Sequence, residues 1–216
     1  MKKQKLWANI AIFIVCALKM APVSRAHAED LSIPVTQKLA SHTYLIPRDL
    51  IEMIYVPDWS RVPNANPNWP HDLVVRLDVR WPEFTASPGV HSQEQAKRKI
   101  IVSLIEGTVR TVTQQVERLN ELRAAPEISG AGYGLKELRS DLSKGFREYI
   151  ASPDHGPEYL IHCDQSENEK ILYHSCTADF EYLDLKVNLH FNSPFLSDWR
   201  EIHRKTVNLL DSMRRD

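Results

Sequence analysis

Cys163 and Cys176 are the residues of this 216-residue chain whose types and spacing most directly suggest chemistry. His162 and His174 stand beside them, so the stretch offers two sulfurs and two imidazoles, a donor set that zinc accepts tetrahedrally. Neighbours on a strand point to opposite faces, which makes His162 and Cys163 poor joint ligands of one ion without a bulge. In an oxidising compartment the same isolated pair reads as a disulfide stapling two adjacent strands. Closing so short a loop stabilises by up to about 3 kcal/mol in the chain-entropy account. Zinc, another pairing and free thiols remain the alternatives.

Elsewhere the chemistry is sparse. His42, His71, His91, His155 and His203 follow no ligand spacing, and no zincin, nucleophile-elbow, P-loop or dinucleotide glycine pattern occurs. Gly130, Gly132 and Gly134 match no phosphate fingerprint and have no apolar strand before them, so they read as a mobile connection. Asp49, Glu52 and Asp58 lack a companion group for acid–base work and read as solvated surface. Trp59 and Trp69 flank a segment rich in Pro and Asn, Pro57 to Pro70, together with Tyr55. Aromatic side chains on an ordered loop serve either as binding anchors or as a lid on the core. The pattern therefore predicts neither an enzyme, a cofactor nor a metal site.

The first 28 residues address the chain. Lys2, Lys3 and Lys5 precede an apolar run from about Trp7 to Leu18, and Ala26-His27-Ala28 places small residues where a signal peptidase reads. The run is shorter than the roughly 20 residues a membrane-spanning helix needs, and Lys19 interrupts it. Cleavage before Glu29 is expected, leaving residues 29–216 as a single exported domain that does not span the membrane. The leader holds five basic residues and no acidic one, so the remainder carries 22 basic against 28 acidic residues, a net charge near −6. A domain of that sign has no global attraction to nucleic acid, and it suits a basic protein partner or plain solubility.

Those 188 residues suffice for one substantial core. Short strands are expected at 42–46 and from Ile51 to Val56. Between 72 and 81, Leu73, Val75, Leu77, Val79 and Trp81 alternate with Arg76, Asp78 and Arg80, a half-buried strand that Pro82 ends. Lys99 to Ile105 reads as a strand and 108–124 as a helix with Val109, Val112, Val116, Leu119 and Leu122 on its apolar stripe. Leu135, Leu138, Leu142, Phe146 and Tyr149 suggest a further helix over 135–150. A hairpin is expected from Glu158 to Cys163 and Ile171 to Cys176, followed by a strand from Tyr182 to Phe191 with Leu183, Leu185, Val187, Leu189 and Phe191 on one side. Pro194, with Ser193 as a possible cap, opens a last helix whose stripe is Trp199, Ile202, Thr206, Leu209, Leu210 and Met213. The elements add up to an α+β domain: a largely antiparallel sheet with helices packed on one face, including the C-terminal helix.

The stretches Tyr44-Leu45-Ile46-Pro47-Arg48-Asp49, the strand end Arg80-Trp81-Pro82-Glu83-Phe84, the pair Cys163 and Cys176, Tyr182-Leu183-Asp184-Leu185, and Leu196-Ser197-Asp198-Trp199-Arg200-Glu201-Ile202 together resemble periplasmic immunity proteins associated with bacterial type VI secretion effectors. The long Pro57 to Pro70 segment departs from that pattern. The resemblance implies a protein of the periplasm that binds and blocks a cognate effector or toxin, and it carries over no toxin-contacting residue. Loops on a rigid sheet are the usual contact positions, which makes Asp49, Glu52, Asp58, Trp59, Trp69, Glu83 and Phe84 the expected partner-binding region. An exported envelope binding or assembly module and an exported hydrolase without a recognisable motif are the other readings.

Overall fold

A computed structural model describes residues 33–56, 73–87, 92–106, 111–123, 127–130, 132–138, 146–151, 159–164 and 174–216. The expected leader, and the segment holding Asp58, Trp59 and Trp69, lie outside the described residues. The chain begins with a hairpin of β1 (Val35–Leu39) and β2 (His42–Ile46) and a 3-10 turn, Arg48–Leu50. Next come β3 (Ile51–Tyr55), β4 (Val74–Arg80), β5 (Thr85–Ala86), the short helix α1 (Gln93–Lys97), β6 (Lys99–Glu106) and α2 (Val112–Arg123). Strands β7 (Glu127–Ser129), β8 (Lys136–Leu138), β9 (Phe146–Ala151), β10 (Tyr159–Asp164), β11 (Ser175–Tyr182) and β12 (Leu185–Asn192) lead to a 3-10 segment, Ser193–Asp198, and to α3 (Trp199–Met213).

The large sheet runs in the order β3-β4-β6-β12-β11-β10-β9-β8-β7, with β5 also paired to β4. Every described pairing is antiparallel. The two-residue period does the sorting: Val75, Leu77 and Val79, Ile100, Val102 and Leu104, and Leu185, Val187, Leu189 and Phe191 all enter one core. Trp199, Ile202, Leu210 and Met213 of α3 close over that face. Thr206, buried among them, donates its hydroxyl to the carbonyl of Ile202 at 2.8 Å, so that hydroxyl is not stranded.

The expectation of helices on one face holds for α3, whereas α2 takes the other. Its Val112 and Val116 pack on Leu138, Ile150 and Leu160. Leu160 and Ile150 are cross-strand partners, and their neighbours Ile161 and Tyr149 belong to the main core, so the two clusters lie on opposite sides. The N–H of Val112, free at the start of α2, donates to Oε1 of Glu181 at 2.9 Å.

That arrangement corrects the expected helix over 135–150. Lys136–Leu138 and Phe146–Ala151 are strands, and residues 139–145 lie outside the described residues. Tyr149, Ile150 and Ala151 are buried in succession because β9 lies between the main core and α2, and a continuous apolar run does not distinguish a two-sided strand from a helix. Phe146, expected inward, is 57% exposed.

The hairpin is shifted as well. β11 runs on to Tyr182, and Leu183 and Asp184 form the turn into β12 instead of beginning a strand at 182. Leu183 adopts φ +55° there and is exposed rather than inward. Ser193 does not cap the last helix: a 3-10 segment containing Pro194 intervenes, and the helix proper starts at Trp199.

Candidate partner-binding site

Four of the predicted contact residues fall on one side of the sheet, on or beside its edge strand β3. Asp49 sits exposed on the 3-10 turn, which packs against β4 and β5. Glu52 leaves β3 and turns inward: Oε2 lies 3.2 Å from Arg76 and Oε1 lies 3.1 Å from Lys99. Lys99 also reaches Asp78 at 2.7 Å. Burial pushes the Asp78 carboxyl up against the opposing Lys99 hydrogen bond. For Lys99, burial works to lower the ammonium, but hydrogen bonds to Asp78 and Glu52 hold it above its ordinary value. Glu52 is thus paired within the chain at its surface, pinning β3 to the sheet.

Glu83 is similarly engaged. Its two oxygens accept from Arg98 Nη2 at 2.8 and 3.0 Å, and its own backbone N–H, then Arg98, hold its carboxyl below the ordinary range. Arg98 Nε donates to the carbonyl of Trp81 at 2.7 Å, so one guanidinium shapes the turn from Trp81 to Phe84. Phe84 at φ +59° is half-buried, its ring edge-on to Trp81 with centroids 6.3 Å apart. It is a lid on the core edge rather than a protruding anchor.

Two features beside these loops were not foreseen. Met53, Ile54, Tyr55 and Val56 are exposed by 42, 38, 39 and 53%, a run of apolar side chains on the edge strand. The sequence carried a trace of it, since IEMIYV is apolar at both parities, unlike the alternating strands of the interior. The second is a cleft of about 640 Å³ between the turn after β4, α1 and the 3-10 segment before α3. Trp81, Pro82 and Phe195 give it apolar walls, and Lys97, Arg98 and Asn192 stand among its polar lining. Lys205 steadies the wall, donating to the carbonyl of Pro82 at 2.6 Å with its ammonium 5.5 Å from the centre of the Trp81 ring. Apolar walls with a polar rim are the ordinary anatomy of a protein contact. Its parts come from Trp81, residues 94–98 and residues 192–195, which no local motif links.

Cys163 and Cys176 face each other across β10 and β11 and are joined as a disulfide within the core. His162 contacts Glu148 at 2.9 Å instead of sharing an ion with them, and among the described residues no group of three or more His, Cys, Asp or Glu side chains is placed to hold a metal. Ser41, His42 and Asp184 do gather, but Ser41 Oγ donates to Asp184 Oδ2 at 2.6 Å, not to the imidazole. A serine nucleophile needs the base at its own hydroxyl, so this trio is not a hydrolytic relay. Among the described residues no helix is long and apolar enough to cross a membrane.

No protein-family model matches the chain, and no curated protein matches it. Its fold is similar to that of Smlt3025, an immunity protein of the Stenotrophomonas maltophilia type IV secretion system, at a TM-score of 0.60 and 18% identity over 86% of this chain and 94% of that one. It is also similar to FrpD, an iron-regulated outer membrane lipoprotein of Neisseria meningitidis, at a TM-score of 0.52 and 12% identity over 85% of this chain and 93% of that one. At these identities the likeness is one of fold, and it extends over most of both partners.

Proposed function

We propose that the protein is a periplasmic immunity protein that binds and neutralises a cognate secreted antibacterial toxin. The observation that carries this reading is the fold likeness to an immunity protein over nearly the whole of both chains. The short sequence stretches resemble type VI immunity proteins, and the solved relative serves a type IV system. Type VI delivery is the finer proposal. The inhibitor's physical task is the same in both cases, a stable exported scaffold with a surface complementary to the toxin.

The proposed contact region is the β3 side of the sheet: Asp49, the exposed run Met53 to Val56, and the cleft beside Trp81. The test is co-expression with the product of the adjacent gene directed to the periplasm. Survival with the exported chain, death when residues 1–28 are deleted, and co-elution of the two proteins are expected. Death in the presence of well-folded exported protein sinks the reading. The fold likeness to an outer membrane lipoprotein keeps an envelope binding or assembly module as the second reading, for which capture of a resident envelope protein without protection is the expected result.

A further inference from the structure

β3 ends the strand order on one side of the large sheet, and among the described residues its ladder partner is β4, on one flank. In an antiparallel ladder alternate residues turn both N–H and C=O toward the neighbouring strand, and those between turn theirs the other way. The outer flank of β3 therefore carries backbone donors and acceptors that no described strand takes up. Its side chains are apolar on both faces. Met53 and Tyr55 stand opposite Arg76 and Val74, while Ile54 stands opposite Val75 and so turns to the face that α3 covers. With Val56 they form an unbroken apolar run, each side chain exposed by between 38 and 53%.

Edge strands are ordinarily blunted by lysine, proline, a bulge or short length. The opposite edge follows that rule, since β7 has three residues and opens on the carboxylate of Glu127. β3 does not. It holds neither Lys nor Pro, its bulge falls between Ile51 and Met53, and from Met53 to Tyr55 its register with β4 is continuous. Its one charge, Glu52, is neutralised within the chain by Arg76 at 3.2 Å and Lys99 at 3.1 Å. A charged occupant would lose hydration at this edge without meeting an opposite charge, whereas an extended chain apolar on both faces matches the ladder and the side chains together. A second copy of the protein offers the same edge, but the four residues Met53 to Val56 fall far short of the roughly 20–30 a side that a specific interface uses. A toxin has the exposed Asp49 turn, which leads directly into β3, and the cleft beside Trp81 to add to the same contact.

We propose that β3 captures an extended segment of the partner toxin as an added strand, whose backbone pairs with the outer flank from Met53 to Tyr55 and whose side chains cover the run from Met53 to Val56. The proposal rests on the reading of the protein as a toxin-binding immunity protein, and it specifies the chemistry of the captured segment. That segment is extended, free of proline at the pairing positions, uncharged, and apolar on both faces. β3 is already ordered against β4, so the entropy cost of forming the new ladder falls on the toxin segment.

The test is residue-resolved amide exchange by NMR on the exported chain, alone and with the product of the adjacent gene, using β12 as the internal gauge of folding. The outward amides between Met53 and Val56 are expected to exchange fast in the chain alone and to slow by about tenfold or more in the complex. Val56→Lys and, separately, Tyr55→Lys should weaken the complex by roughly tenfold or more, because a lysine on an edge opposes strand addition. Phe146→Lys, at a similarly exposed apolar position on β9, should leave it unchanged. Should β12 show that a lysine variant has not folded, exchange in the unsubstituted complex decides by itself. A complex that forms and protects cells while the β3 amides exchange as they do in the chain alone overturns the added strand and leaves the immunity reading standing. Failure to form any complex overturns both. Slowing that appears in the chain alone and grows with its concentration assigns the edge to a second copy and overturns the toxin segment.

Discussion

Gly134 shows how narrowly single residues are constrained here. It adopts φ +72°, and a methyl group in its place would run into the guanidinium of Arg200. Arg200 can swing aside, but the left-handed backbone still disfavours a side chain, so Gly134→Ala is expected to lower stability by about 1–2 kcal/mol in urea unfolding. The loss should persist when Arg200 is also replaced by Ala. Tyr44 gives an opposite case. Its hydroxyl is buried without a hydrogen-bond partner among the described residues, and burial pushes its pKa up to about 12. The fold thus favours the neutral phenol, so this contribution is complete below the ordinary value of 10.0 and is lost as pH rises through about 12. Tyr44→Phe is expected to remove that alkaline loss while keeping or raising stability at neutral pH, because it deletes an unsatisfied polar atom. A steeper alkaline fall in the variant, measured by denaturant titration across that range, contradicts the assignment.

Two helices cover opposite faces of one sheet, and they are unequal partners. α3 inserts Trp199, fully enclosed beside Tyr159, which itself stacks on Phe180, whereas α2 contributes Val112 and Val116 to a small satellite cluster. Trp199→Ala is therefore expected to cost about 3–5 kcal/mol and Val116→Ala about 1 kcal/mol, and a comparison of thermal midpoints orders them. The edge strand β3 is held differently, through Glu52 to Arg76 and Lys99. Lys99→Ala strands the half-buried Asp78 carboxyl, while Glu52→Ala leaves Lys99 with Asp78, so the lysine variant should be the less stable by about 1–2 kcal/mol. Equal losses in chemical unfolding argue that the network around Asp78 is indifferent.

At the scale of the molecule, one antiparallel sheet reaches from the apolar edge at Met53 to Val56 across to β7, and the disulfide lies within it between β10 and β11. Both cysteines are buried, and the bridge adds a covalent tie to the antiparallel ladder that already pairs β10 with β11. Replacing Cys163 and Cys176 together by Ala is expected to lower stability by up to about 3 kcal/mol. In the proposed role of toxin inhibitor the chain has to stay folded before its partner arrives. The double variant should therefore protect less at elevated temperature than at low temperature, and unchanged protection at both separates the staple from function.

Alternation from Val75 to Val79 and from Leu185 to Phe191, and the stripe from Trp199 to Met213, specified the core strands and the covering helix by themselves. Burying one face imposes a local period that can be read residue by residue. The stretch around Tyr149 and Ile150 was not legible in that way, because a strand between two clusters has no polar face to alternate with. Nor did the chain by itself show that Glu52 and Glu83 are tied up in internal pairs, or that His42 meets Asp184 and Asp216. Those facts depend on which distant segments lie side by side. Pairing across β3, β4 and β6, and the return of residues 214–216 to the first hairpin, brought them together, and only the tertiary structure decides such neighbours.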